Sequence, residues 1–167
     1  WLLILLALGL IVSSVVGIFE KVIAQLTIIM AFQTLILDMS GNVGTQSLAV
    51  TIRVLMDENL AINKKARLVW KEIRVGFCNG LVIASLSFLF LGLYIGLFKN
   101  RPWDFAFSVS GCISISLVLA MVISSCLGTL IPMFFKKIKI DPAVASGPLI
   151  TTLNDLIAVM TYYGMSW

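Results

Sequence analysis

Histidine is absent from the 167 residues, cysteine occurs only at Cys78, Cys112 and Cys126, and charged residues make up 12% of the chain. Each scarcity closes off a class of function. With no histidine and three thiols isolated in apolar segments, a disulfide framework and a Cys/His metal centre both lack material. A Ser/His/Asp set is excluded on the same ground, and no glycine-rich phosphate loop follows a strand pattern, so the chain does not read as an enzyme. The net charge of +4 sits in short loops between apolar runs, where orientation in a membrane accounts for it, and nucleic acid is not an expected partner. In abundance are apolar residues: 60% of the chain, with a mean hydropathy of +1.07, which describes an integral membrane protein built as a bundle of spans. The opening Trp1-Leu2-Leu3-Ile4 has no initiator Met, basic n-region or small-residue cleavage site, and reads as the edge of a domain and not as a secretory signal.

The expected fold class is all-α, with five transmembrane helices in one domain covering 1–167. The spans are expected at about 1–19, 22–56, 75–97, 105–135 and 141–165. The second is too long for one perpendicular crossing of about 20 residues. A break is expected near 38–46, where Asp38-Met39-Ser40-Gly41-Asn42-Val43-Gly44-Thr45-Gln46 concentrates glycine and polar side chains in apolar surroundings. If the helical phase continues through it, Thr34, Asp38, Asn42 and Gln46 form a polar stripe. Between Leu60 and Arg74, Ile62, Ala66, Val69, Trp70 and Ile73 fall on one side and Lys64, Lys65, Arg67, Lys71 and Arg74 on the other. This pattern predicts a short amphipathic helix in the headgroup plane, against a lipid surface, the alternative being a solvated linker. In the third span Gly76-x-x-x-Gly80, Ala84 and Gly92-x-x-x-Gly96 make a ridge for close helix packing. Ser110, Gly111, Ser114, Ser124, Ser125 and Gly128 do the same in the fourth. Pro132 marks a fraying end there, and Asp141-Pro142 supplies an N-cap and first helical residue for the last span.

Six Lys/Arg fall between Arg53 and Arg74 and three between Lys136 and Lys139, against Lys21, Lys99 and Arg101 in the other loops. The positive-inside rule then places the N-terminus in the cytoplasm and the C-terminus outside, in the plasma (inner) membrane.

Asp155 is the residue that most needs a reason. It lies near the middle of Ala143–Met165, a 23-residue apolar segment, and a carboxylate at bilayer depth costs at least about 2.5 kcal/mol. Gly147, Thr151 and Asp155 recur at four-residue spacing, flanked by Asn154 and Ala158, on one small polar face. Such a carboxylate either packs against a polar neighbour or serves a wet pathway. Two carboxylates at depth, Asp38 and Asp155, beside amides and hydroxyls and without an intramembrane Lys or Arg, describe an interior that attracts cations. Oxygen ligands suit hard ions, and Mg2+, which sheds water reluctantly, suits a sparse ring of oxygens. An odd number of helices with two polar stripes does not easily enclose a pathway alone, and pairing of two chains would complete it.

Three separated stretches carry a resemblance: Ser40-Gly41-Asn42-Val43-Gly44-Thr45-Gln46, Glu72-Ile73-Arg74-Val75-Gly76-Phe77-Cys78-Asn79-Gly80, and Asp141-Pro142-Ala143-Val144-Ala145-Ser146-Gly147-Pro148-Leu149-Ile150-Thr151-Thr152-Leu153-Asn154-Asp155. In these, and in order along essentially the whole chain, the sequence resembles the transmembrane domain of the MgtE family of magnesium transporters, which includes related animal solute carriers. The resemblance implies a five-helix domain that forms a homodimer with a magnesium-conducting pore at the dimer interface. It implies that Asp155 binds hydrated Mg2+, the transported and regulatory ion, and the polar face of the same helix adds Thr151 and Asn154 as expected ligands beside it. The resemblance also implies that the segment around Asn42 and Gly44 lines the pore and that Asp141 lies at the cytoplasmic-end gate; the polar stripes add Asp38, Gln46, Gly147 and Ala158 as expected pore-lining residues, Asp38 being either in the pathway or paired at its rim. Two positions depart from the family pattern: Thr34 stands where many members carry Pro, and Asp38 where Gly is common. Two other readings fit the residues: a proton- or sodium-coupled transporter of a small solute, and a non-transporting membrane assembly subunit whose glycine ridges carry the function.

Overall fold

The computed structural model describes residues 2–20, 27–56 and 62–166. Trp1, residues 22–26 of the second expected span and Leu60 lie outside them. The described residues form five helices: α1 (Leu2–Ile18), α2 (Thr27–Leu55), α3 (Ile62–Phe98), α4 (Trp103–Lys137) and α5 (Pro142–Ser166). Asn63–Phe98 and Trp103–Lys137 are each long and apolar enough to cross a membrane.

Helix α4 is the centre of the bundle. Ala106, Val109, Ile113, Leu117, Ala120 and Ser124 recur at three- and four-residue steps and are all buried, so one stripe of the helix faces its neighbours along most of its length. It packs on α3, α2 and α5, while α2 and α3 scarcely touch, and α1 lies mainly against α5. Bulky apolar side chains such as Leu86, Phe90, Phe98 and Leu10 point outward, as they do where lipid is the solvent. Many of the buried positions are small and hydroxylic instead: Ser40, Ser47, Thr51, Ser110, Ser116, Ser124, Ser125 and Thr129. Small residues let helix backbones approach closely, and that substitutes for the hydrophobic drive that lipid does not supply.

The break expected near 38–46 does not occur: α2 runs through it as one helix. The two hydroxyls of that stretch bond within the helix, Ser40 Oγ donating to the Leu37 carbonyl and Thr45 Oγ1 to the Gly41 and Asn42 carbonyls, each at 3.0 Å. Back-bonding of this kind satisfies the hydroxyls without unwinding the chain.

The amphipathic stretch is not a separate helix either. It is the first part of α3, whose 37 residues extend about 55 Å at about 1.5 Å per residue. No proline interrupts the passage from Arg74 to Val75. The buried face also differs from the expected one. Leu68, Glu72, Gly76 and Gly80 turn inward, and Trp70 is 63% exposed. Gly76 sets this rotation, because a Cβ there would stand 2.8 Å from the Ser125 Cβ and 3.0 Å from the Met121 carbonyl oxygen. The glycine that touches α4 fixes the phase, and Glu72 and Leu68, one and two turns earlier, follow it inward.

Pro132 is buried inside α4, which continues to Lys137. Asn100, at φ 49°, turns the chain from α3 into α4; asparagine tolerates that left-handed conformation better than most residues. Asp141 caps α5 as expected, its Oδ1 accepting the Ala143 N–H at 2.9 Å. At the other end of α5, Tyr163 Oη donates to Gln33 Oε1 of α2 at 2.7 Å and its ring stacks on Phe19 at 5.7 Å.

Candidate cation-binding groove

Helices α2 and α5 hold a groove of about 400 Å³ between them, lined by Thr34, Leu37, Asp38, Gly41, Asn42 and Thr45 from α2 and by Thr151 and Asp155 from α5. Asp38 and Asp155, the two carboxylates singled out from the sequence, therefore border one space. Asp155 is half-buried and Asp38 exposed. The remaining polar lining is hydroxyl and amide, and no lysine or arginine is among it. Such a surface presents negative charge and neutral oxygens, which is the donor set a hard cation takes.

Not every residue of the two expected stripes reaches the groove. Each four-residue step along an α-helix overshoots a full turn by about 40°. Over the three steps from Thr34 to Gln46 the drift reaches about 120°, and Gln46 lies instead in a second cavity with Asn79, Met121 and Val82, where Asn42 borders both spaces. Thr45, which sequence reasoning passed over, takes its place because eleven residues close to three full turns. The interval of eleven from Thr34 is the signal that would have found it.

On α5 the same geometry separates the flanking residues from the stripe. Asn154 and Ala158 are each only 1% exposed and turn into the bundle. Ala158 belongs to the apolar core with Ile36, Ile113 and Val159. Asn154 is wedged against Gly44 of α2 and Ser124 of α4, where any side chain at Gly44 would collide with its amide, and neither polar atom of that amide has a hydrogen-bond partner among the described residues. Gly44 is thus a contact surface for Asn154 and is itself buried. Gly147 is half-buried with open space beside it, and Asp141 is exposed at the start of α5.

A third acidic residue, Glu72, lies within the bundle and outside the groove. Glu72 of α3 is 5% exposed, and Ser47 Oγ of α2 donates to its Oε2 at 3.0 Å. Ser124 Oγ donates to the Ser40 carbonyl and Lys136 Nζ to the Leu55 carbonyl. Polar bonds from α3 and α4 therefore hold α2, and with it the wall that carries Asp38 and Asn42. Glu72 stands four residues before Gly76, and that spacing to the packing glycine marks it as inward-facing.

Fold and groove define a helical membrane protein with an acidic cleft between two of its helices. The family model for MgtE, described as a divalent cation transporter, matches residues 33–165, and the chain belongs to that family. Its relatives include proteins named magnesium transporter MgtE from Bacillus subtilis, 37% identical over 166 residues, from Enterococcus faecalis, 34% identical, and from Thermus thermophilus, 31% identical. Each alignment covers 99% of this chain, which spans about 35% of the length of these relatives.

Proposed function

We propose that this chain carries Mg2+ across the plasma membrane, with the α2/α5 groove as one wall of the pathway. The observation that carries the reading is the placement of Asp38 and Asp155 on one groove whose other polar lining is hydroxyl and amide. Mg2+ holds its water tightly and is usually bound through one or two carboxylates. In this reading Asp155 and Thr151 meet the hydrated ion, and Asn154, turned inward against Gly44, holds α5 in register instead of reaching it. All five helices cross the membrane, with the N-terminus cytoplasmic and Asp141 at the cytoplasmic end of the pathway. The groove is open along one side, and a second copy related by a twofold axis encloses it, which makes the working unit a homodimer.

The test is Mg2+ influx into proteoliposomes of the purified chain, with membrane potential and pH gradient varied separately. Influx driven by the Mg2+ gradient and potential is expected. Flux of an organic solute tied to the proton gradient, without Mg2+ movement, would support the coupled-transporter reading instead.

Asp38 contributes a second charge to the same wall, so Asp38→Gly is expected to weaken apparent Mg2+ affinity by about three- to tenfold and to shift the ranking of Mg2+ against Ca2+ and Mn2+. An Asp38→Gly protein with unchanged affinity and ranking would remove this residue from the pathway.

A further inference from the structure

The most basic part of the molecule lies outside the groove. Along the first half of α3, Arg67, Lys71 and Arg74 line a cavity of about 710 Å³ together with Trp70, Val75 and Asn79, and no carboxylate is among the described lining residues. The single acidic residue in this part of the helix, Glu72, is turned away and bound by Ser47. The cations are therefore not neutralised from their own helix.

The position of this cavity along α3 is specific. From Val75 to Phe98 the helix carries no charged side chain, and those 24 residues extend about 36 Å, enough for the hydrocarbon core. Lys64, Lys65, Arg67, Lys71 and Arg74 all precede that segment. The cavity, running from Arg67 to Asn79, straddles the point where the helix leaves the oil. Trp70, 63% exposed, sits at the level where indole rings anchor, and Val75, Phe77 and Val82 below it are exposed apolar side chains.

We propose that this cavity is a binding site for the headgroup of an anionic phospholipid. The guanidinium groups of Arg67 and Arg74 and the ammonium of Lys71 take the phosphate, Trp70 packs at the glycerol level, and the acyl chains run down the apolar face from Val75 to Val82. Guanidinium forks match phosphate oxygens in pairs, and basic pockets beside membrane helices hold such headgroups. None of its residues borders the α2/α5 groove, so the site is distinct from that groove.

The experiment reads Trp70 fluorescence in vesicles of phosphatidylcholine containing a minor fraction of brominated phosphatidylglycerol or of brominated phosphatidylcholine, taking the difference from Trp70→Phe. Quenching at Trp70 is expected to show a preference for phosphatidylglycerol of about tenfold or more, falling to within about twofold in the Arg67→Gln, Lys71→Gln, Arg74→Gln variant. Arg67→Lys with Arg74→Lys should retain most of it. Lys137→Gln with Lys139→Gln, which removes basic charge elsewhere, should leave it intact. Equal quenching by both lipids in the parent protein overturns the proposal even if the triple variant does not fold. So does an equal loss in the Lys137 and Lys139 variant, which would mean diffuse attraction, or displacement by soluble glycerol phosphate, which would mean a site for free phosphate.

Discussion

Asp155→Asn is expected to lower Mg2+ influx into proteoliposomes by about 30- to 150-fold while leaving the fold intact. The change removes one charge and almost no volume. A divalent ion about 5 Å from a carboxylate, at an effective dielectric constant of about 20, gains roughly 7 kcal/mol. Loss of hydration by the carboxylate offsets more than half of this in a half-buried site, and a remainder of about 2 to 3 kcal/mol corresponds to the stated range. The fold is spared because Asp155 borders open space, with no hydrogen bond to it among the described residues that the amide would forfeit. Asp155→Glu, which keeps the charge but advances it by a methylene, should lose no more than about tenfold. Wild-type influx through Asp155→Asn would end the assignment of this residue to the pathway, and an equal loss in both variants would mean that its role is in packing.

The second large effect is on stability. Gly128→Leu is expected to abolish recovery of folded protein or, where some is recovered, to lower the midpoint of thermal unfolding by about 6–12 °C. A Cβ at Gly128 would overlap the Gly44 carbonyl oxygen and lie 3.1 Å from both the Gly44 carbonyl carbon and the Ser47 Cβ. Two of these three atoms are backbone, so no rotamer change relieves the clash and α2 must move off α4. That separation also strains the Ser124 contact to the Ser40 carbonyl, the Ser47 bond to Glu72 and the seat of Asn154 on Gly44. Overpacking of this kind costs about 3 kcal/mol or more, and for a chain of this size each kcal/mol is worth about 2–4 °C. Gly9→Ala is the contrasting case. Nothing lies within 4 Å of the added methyl, so a neutral or slightly stabilising effect is expected from the better helix former. A Gly128→Leu protein that melts with the parent would show that the α2/α4 contact is looser than described.

Much of the architecture was legible because length and hydropathy are one-dimensional properties: α1, α4 and α5 begin and end close to the expected limits. The cap at Asp141 and the polar pair Thr151 and Asp155 were equally accessible, since both depend on spacings within one helix. What went astray depended on neighbours. Glycine and polar residues between Asp38 and Gln46 look like a disruption in isolation, yet in the bundle Gly44 receives Asn154 and the hydroxyls bond to their own helix. Gln46 and Ala158 were carried off the groove by the rotation that accumulates over successive four-residue steps, which a straight stripe ignores. Glu72 was masked by the basic residues around it. The contact of Gly76 with Ser125 and the bond from Ser47 fix which way that side chain turns.

The serine and glycine joint between α2 and α4 has a bearing on how the molecule responds to its surroundings. A joint made of close carbonyl and hydroxyl contacts grows stronger as the medium becomes drier, the reverse of a leucine-packed interior, which relies on water outside to hold it shut. Hydration therefore acts here as a solvent that dissolves the seam. Ser40, Ser47 and Ser124 are each no more than 3% exposed and Gly128 is buried, so the seam keeps the dryness on which its own tightness depends.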